Sequence, residues 1–328
     1  MKHLRTSSHE RLVRGPQGTT SHRPHASSIS TRFFPQSPHK NFFLFSIFLV
    51  SVFILSGAPL WAQIEQHPEL IGKRVLTNQK GKPVPFENDE AIRDFLSNAE
   101  VVAEDVIGSG ITKPFRLTLE KDGIRLRSIF RHIQRKEDRI EIEGKIHRYF
   151  EDSYKFELAA YKLAEHLGLP HVPPVIPYTY KGIEGSLQIW IELAITDRTR
   201  VMDEIPFPSF FNAEHQLQTM KAFDVLIYNF DRNELNYLYD IRWYVWYIDH
   251  SRSFKPDSVL PQLDDLTKMR RDVYQKLKNW DKKAINKKLK PHLNRMQLIA
   301  LHRRQKKILE HVDDLIAQHG EAQVLFDK

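Results

Sequence analysis

Residues 221–254 read KAFDVLIYNFDRNELNYLYDIRWYVWYIDHSRSF, and the fold turns on how this stretch is arranged. It opens as the apolar end of a helix and breaks at a polar knot, Asn229-Phe230-Asp231-Arg232-Asn233-Glu234-Leu235-Asn236. Two runs rich in Tyr, Trp, Val and Ile follow, at 237–239 and 244–248, with the composition of paired strands. The link Asp240-Ile241-Arg242-Trp243 is short enough for a hairpin turn, although it lacks an Asn-Gly pair. A second knot, Asp249-His250-Ser251-Arg252-Ser253-Phe254, closes the stretch. A hairpin would bring its two open ends together and set Asn236 beside Asp249. An amide oxygen and a carboxylate meeting there make a hard-oxygen site suited to Mg²⁺, with phosphate oxygens and water completing the shell. Asp231, on the loop that feeds the hairpin, is placed to accept or orient the proton of an attacking hydroxyl. The plainer reading is a pair of polar turns in which Asp and Asn cap chain ends.

An Asp, an Asn five residues on, a hairpin and a further Asp also form the grammar of the metal-and-base half of a protein-kinase-like site. Asp-Arg-x-x-x-Asn at 231–236 followed by Ile248-Asp249-His250 resembles the atypical branch of that fold. The branch includes phosphatidylinositol 3- and 4-kinases, HipA-type bacterial kinases and the secretory-pathway Fam20 kinases.

Upstream residues decide between the two readings. A strand at 101–107 runs into Gly108-Ser109-Gly110-Ile111-Thr112-Lys113-Pro114, then alternating strands at 115–120 and 124–133 flank a turn at Lys121-Asp122-Gly123. Backbone N–H groups of a Gly-rich turn in an antiparallel ribbon can cover nucleotide phosphates, although an ordinary hairpin turn has the same composition. Gly-x-Thr-Lys-Pro followed by two strands resembles the small-lobe opening of Fam20 and related bacterial sequences. That resemblance implies nucleotide contacts from Gly108, Ser109, Gly110, Thr112 and Lys113. The family carries small-x-Phe-Lys on the third strand, whereas this chain has Ser128-Ile129-Phe130-Arg131. Arginine keeps the charge but is bulkier and fork-shaped, so it does not simply replace lysine.

Residues 134–150 are charged, with one alternating stretch, and read as a loop or edge hairpin. A helix is expected over 152–167, stopped by Gly168, with Glu157 in mid-helix. A lone helical Glu is ordinarily a solvated residue. Here it lies in Glu-x-Ala-Ala-Tyr, and the resemblance implies that Glu157 pairs with Arg131. Gly185-Ser186-Leu187-Gln188-Ile189-Trp190-Ile191-Glu192 reads as a buried strand. It resembles the strand by which type II phosphatidylinositol 4-kinases reach the interlobe hinge, which implies main-chain contacts to adenine from Ile189, Trp190 and Ile191. Further helices are expected over 88–98, 212–228, 264–280, 282–288 and 296–317, with an irregular insertion at 194–213.

The chain has 328 residues, no cysteine, 41% apolar and 27% charged residues, and a net charge of +8. Without cysteine there can be no disulfide and no thiolate metal site. Lys2, Arg5, Arg11, Arg14, Arg23, Arg32 and Lys40 stand against Glu10 alone in residues 1–40, so most of the net charge lies there. The remainder is nearly balanced, and no specific nucleic-acid partner is expected. Residues 1–40 read as a disordered basic leader. An uncharged apolar run follows at 42–62 and ends in small residues, so 41–62 reads as a signal peptide or signal anchor. The protein is then exported, periplasmic or secreted, or held at a membrane by that one segment.

The fold expected is α+β: a two-lobed protein-kinase-like arrangement with a small antiparallel-sheet lobe over 64–192 and a mainly helical lobe over 193–328. By resemblance the function expected is an ATP- and Mg- or Mn-dependent phosphotransferase acting on a hydroxyl of an unidentified protein, lipid or sugar. Its candidate catalytic residues are Asp231, Arg131 and Glu157, and its metal ligands Asn236 and Asp249. The alternative is a catalytically weak or inactive relative that serves as a nucleotide-binding scaffold.

Overall fold

A computed structural model describes residues 72–107, 114–142, 145–230, 232–257, 259–260 and 262–327. The apolar run at 42–62 lies outside them, and among the described residues no helix is long and apolar enough to cross a membrane.

The chain enters through a short helix, α1 (Asp89–Asn98). Asn88 caps it by accepting the Ala91 N–H at 3.0 Å, and Ile92, Phe95 and Leu96 form its buried stripe. Strands β1 (Glu100–Val106), β2 (Phe115–Lys121) and β3 (Ile124–Arg131) then make an antiparallel ribbon. A hairpin of β4 (Gln134–Ile142) and β5 (Lys145–Ser153) stands between β3 and the next helix, so the charged 134–150 stretch forms paired strands of its own. Helix α2 (Tyr154–Leu167) begins at the Ser153 cap and ends at Gly168 with φ 65, a left-handed geometry that glycine adopts without Cβ strain. Strands β6 (Val175–Tyr180) and β7 (Ile183–Ile189) return to the sheet, giving the order β1-β2-β3-β7-β6.

Beyond the sheet the chain is mainly helical. A short strand β8 (Ile195–Thr196) and helix α3 (Asp197–Met202) occupy the stretch expected to be irregular. Helix α4 (Ala213–Ile227), capped by Asn212, leads to the opening motif. The hairpin forms as β9 (Tyr237–Tyr239) and β10 (Val245–Tyr247), and β8 adds to its edge. The expected helix over 264–280 forms only in part, as α5 (Arg271–Lys278). Before it come a 3₁₀ turn at Leu263–Asp265 and a two-residue strand β11 (Met269–Arg270). The Gln218 side chain explains the loss of helix, because its Oε1 accepts the N–H groups of Thr267 at 3.1 Å and Lys268 at 3.2 Å. Buried Leu266 and Met269 add to this tertiary preference for extended chain over local helix propensity. Helices α6 (Lys282–Leu289), α7 (Arg295–His319) and α8 (Glu321–Val324) follow, and β12 (Leu325–Phe326) pairs in parallel with β11.

Two apolar cores result. One lies between α1 and the five-stranded sheet, around Leu96, Leu117, Leu119, Phe130 and Leu187. The other gathers α2, α4 and the C-terminal helices around Phe156, Phe223, Leu301 and Ile308. Helix α2, which the sequence reading places in the small lobe, packs its apolar side chains into this second core. The β9–β10 hairpin is the seam. By strand alternation Tyr239, Val245 and Tyr247 enter the second core, while Tyr244 and Trp246 enter the first.

Candidate active site

The hairpin is pinned at both ends. At its turn Asp240 is buried, and one carboxylate oxygen accepts the N–H groups of Arg242 (2.8 Å) and Tyr244 (3.0 Å). The other oxygen accepts the Trp246 indole N–H at 2.9 Å. Burial raises the Asp240 carboxyl to about 6 despite these donors. Trp243 sits at φ 61, so a side chain that nucleates its own turn does here what Asn-Gly does elsewhere. At the open end Arg232 spans the two strands. Its Nη1 donates to the carbonyl of Asn236 at 2.8 Å and to that of Ile248 at 2.6 Å. Its Nε and Nη2 bind the two carboxylate oxygens of Asp224 on α4, both at 2.8 Å. The register Tyr237↔Tyr247 then brings Asn236 and Asp249 to neighbouring ends of the hairpin, as expected. Arg232 was visible in the motif, but its role was not legible from sequence, because its partners lie on α4 and across the hairpin.

Glu157 is completely buried and faces three groups. Its Oε1 lies 3.6 Å from Arg131 Nε and accepts the main-chain N–H of His250 at 3.0 Å. Its Oε2 lies 3.3 Å from the His250 ring. Burial pushes this carboxyl up, but Arg131 foremost, with His250, overcomes that and holds it at about 2. The expected Arg131–Glu157 pair is therefore present as an ion pair, while the hydrogen bonds of Glu157 go to the residue after Asp249. Arg131 also reaches Gln188 on β7, Nη1 to Oε1 at 3.4 Å, and its Nη2 has no hydrogen-bond partner among the described residues.

Asp249 is half-buried in a left-handed conformation, φ 63, which an Asp tolerates better than most residues but which still strains the chain. Burial raises its pKa. Arg131 opposes this, whereas the carboxylates of Glu157 and Asp152 reinforce it. Arg252 pairs with Asp152 at 3.0 Å and Arg131 with Glu157, so Asp249 is the carboxylate of the three whose raised pKa a divalent cation would relieve. With the carboxamide of buried Asn236 at the neighbouring strand end, the donors are the hard oxygens that Mg²⁺ and Mn²⁺ take.

No family model and no curated protein matches this sequence. Solved structures do. The Fam20 protein of hydra, in a structure with sugar, aligns at TM-score 0.57 and 17% identity over 74% of this chain and 94% of its own. The Golgi casein kinase aligns at TM-score 0.55 and 16% identity, covering 73% of this chain and 78% of that one. The same kinase with Mn/ADP bound aligns at 0.53 and 16%, over 74% and 81%. The chain has an atypical protein-kinase-like fold.

In this kinase-like frame the remaining expectations fall unevenly. Arg131, Glu157, Asn236 and Asp249 lie where the sheet, α2 and the hairpin meet. Gly108, Ser109, Gly110, Thr112, Lys113 and Asp231 lie outside the described residues. Of the three hinge residues, Ile189 donates its N–H to the Pro174 carbonyl and Trp190 donates to that of Arg127, each at 3.0 Å. These two N–H groups are therefore engaged within the protein. Gly185, at the start of the hinge motif, has a specific steric reason. A Cβ there would stand 2.4 Å from the Arg131 carbonyl oxygen and 2.5 Å from the Phe130 ring, so glycine lets β7 lie against β3.

Proposed function

We propose that the protein is an ATP- and divalent-metal-dependent phosphotransferase acting on a hydroxyl group. The observation that carries the reading is the meeting of Arg131, Glu157 and Asp249, from β3, α2 and the loop after β10, in one electrostatic cluster. Arg131 is the leading attractive partner of both carboxylates. The fold is shared with the hydra Fam20 protein and with the Golgi casein kinase, which has been solved with Mn/ADP bound.

Asn236 and Asp249 would hold the metal, which when bound supplies charge neutralisation for the polyphosphate. Arg131, oriented by Glu157 and Gln188, offers Nη2 to phosphate oxygens. Asp231, one residue before the Arg232 clamp, takes the proton as the acceptor oxygen bonds to the γ-phosphorus. The bond from that phosphorus to the β–γ bridging oxygen breaks, and ADP leaves. Positioning and charge, rather than covalent participation, are what such a site contributes. The segment 41–62 would export the domain or anchor it at a membrane, with the acceptor a protein, lipid or sugar met there.

The test is phosphate transfer from γ-labelled ATP by the full chain with Mg²⁺ or Mn²⁺, against the Asp249→Ala variant. Transfer or hydrolysis lost in the variant supports the reading, and equal turnover by both proteins refutes it. A second reading, a nucleotide-binding scaffold without turnover, is favoured by arginine at 131, where related sequences carry lysine. Saturable Mn·ADP binding with no transfer to any protein, lipid or sugar pool would establish it.

A further inference from the structure

The two halves of the site meet at a residue that no motif singles out. His250 is completely buried. Its main-chain N–H and its Nδ1 face the two oxygens of Glu157, at 3.0 and 3.3 Å. On the far side of the ring, Nε2 lies 3.3 Å from Nη2 of Arg232. Phe223 of α4 packs edge-on against the ring at 6.0 Å between centroids.

These partners determine where the ring proton sits. A guanidinium has donors only and stays charged, so the ring nitrogen that faces Arg232 must accept. A carboxylate only accepts, so the nitrogen that faces Glu157 must donate. The proton therefore belongs on Nδ1, and each nitrogen's role is imposed by the opposite partner. The contacts form one continuous line, Arg131–Glu157–His250–Arg232–Asp224, from the third strand of the sheet to α4.

We propose that His250 is a positioning residue that ties the phosphate half of the site to the metal half. Through Glu157 it fixes Asp249 beside Arg131, and through Arg232 it fixes the main chain at Asn236 and Ile248. The role requires a donor at the Nδ1 position and an acceptor at the Nε2 position together. A core histidine that merely fills space would need neither. The proposal rests on the phosphotransferase reading above, because it assigns what the positioning is for.

The experiment uses the full chain and has two arms. In the first, ¹⁵N–¹H correlation spectra of histidine-labelled protein report the ring's protonation pattern. A proton on Nδ1 with Nε2 bare is expected, and a proton on Nε2 overturns the proposal. In the second, Mn·ADP and metal-free ADP affinities are measured for wild type, His250→Asn, His250→Gln and His250→Phe. Asparagine keeps a donor toward Glu157, glutamine an acceptor toward Arg232, and phenylalanine neither. Mn·ADP affinity should fall at least tenfold in His250→Phe and by an intermediate factor in the two amides, while metal-free ADP binding changes less than threefold. Equal Mn·ADP affinity in wild type and all soluble variants overturns the proposal, as does a parallel loss of metal-free ADP binding. Should His250→Phe fail to fold, the two amides and the spectra carry the test. Wild-type protein that binds no Mn·ADP would refute the phosphotransferase reading, and the ring's protonation would still decide this proposal.

Discussion

Replacing Glu157 with glutamine removes a buried anion while keeping its shape, and the size of the effect follows from its surroundings. The carboxyl is held at about 2 rather than 4.5, because burial is outweighed by Arg131 and His250. At about 1.4 kcal/mol per tenfold change in proton affinity, that difference amounts to about 3 kcal/mol of stabilisation at neutral pH. Glutamine can still accept the His250 main-chain N–H, but its amide then turns an N–H₂ group toward the ring. For a domain of this size, about 3 kcal/mol lowers the melting temperature by about 6–12 °C. The pH dependence has a definite sign. A carboxyl whose folded pKa is depressed stabilises the protein above its unfolded pKa, and that contribution is lost as the pH falls from about 4.5 through about 2. Urea unfolding of both proteins between pH 7 and pH 2.5 should therefore show a full gap at pH 6 that narrows below 4.5. Asp249 acts with the opposite sign, since its pKa is raised, so the comparison is best made in an Asp249→Asn background. A gap under about 1 kcal/mol at pH 7, or one that does not narrow on acidification, would refute this account of the cluster.

Three further predictions follow from the same geometry. Asp249→Asn should stabilise the metal-free protein by about 0.5–2 kcal/mol while abolishing Mn·ADP binding, as expected where a functional charge is held at a cost; thermal shifts with and without Mn²⁺ check both parts. Arg232→Met should cost about 3–5 kcal/mol in chemical denaturation, because Asp224 is left buried and unpaired. Gly185→Ala must displace both the Arg131 carbonyl and the Phe130 ring, so it should cost about 1–3 kcal/mol and weaken nucleotide binding measured by titration calorimetry.

What the sequence disclosed depended on how local the signal was. Strand alternation in 115–120 and 124–133, the stop of α2 at Gly168, and the aromatic hairpin are short-range patterns, and the structure contains each of them. That Arg131, Glu157, Asn236 and Asp249 would meet was implied by the resemblance their order carries, not by any local pattern. The contacts that hold them were not legible. Asp224 and Arg232 are eight residues apart, but only the left-handed end of α4 at Tyr228, φ 59, and the turn after it bring them face to face. His250 reads as one more polar turn residue until Glu157, 93 positions away, is placed against it. The helix expected through 264–270 was misread for a similar reason, since the side chain that opens it belongs to Gln218 on α4.

The arginine on β3 can now be weighed on physical grounds rather than as a missing lysine. It acts on two carboxylates, buried Glu157 and half-buried Asp249, and buried Asp152 adds a third beside Asp249. A desolvated lysine can lose its proton, whereas an arginine keeps its charge. The guanidinium fork also divides its donors, with Nε toward Glu157, Nη1 toward Gln188 and Nη2 without a hydrogen-bond partner among the described residues. A lysine ammonium, a single point, would serve the carboxylate and the phosphate from one position. An arginine can hold Glu157 and offer a separate donor pair to phosphate at the same time. The distinction between catalyst and scaffold thus reduces to reach: whether Nη2 touches a phosphate oxygen while Nε stays on Glu157. The hairpin sets that distance, because its alternating side chains fix it in both apolar cores and its end carries Asp249 toward Arg131.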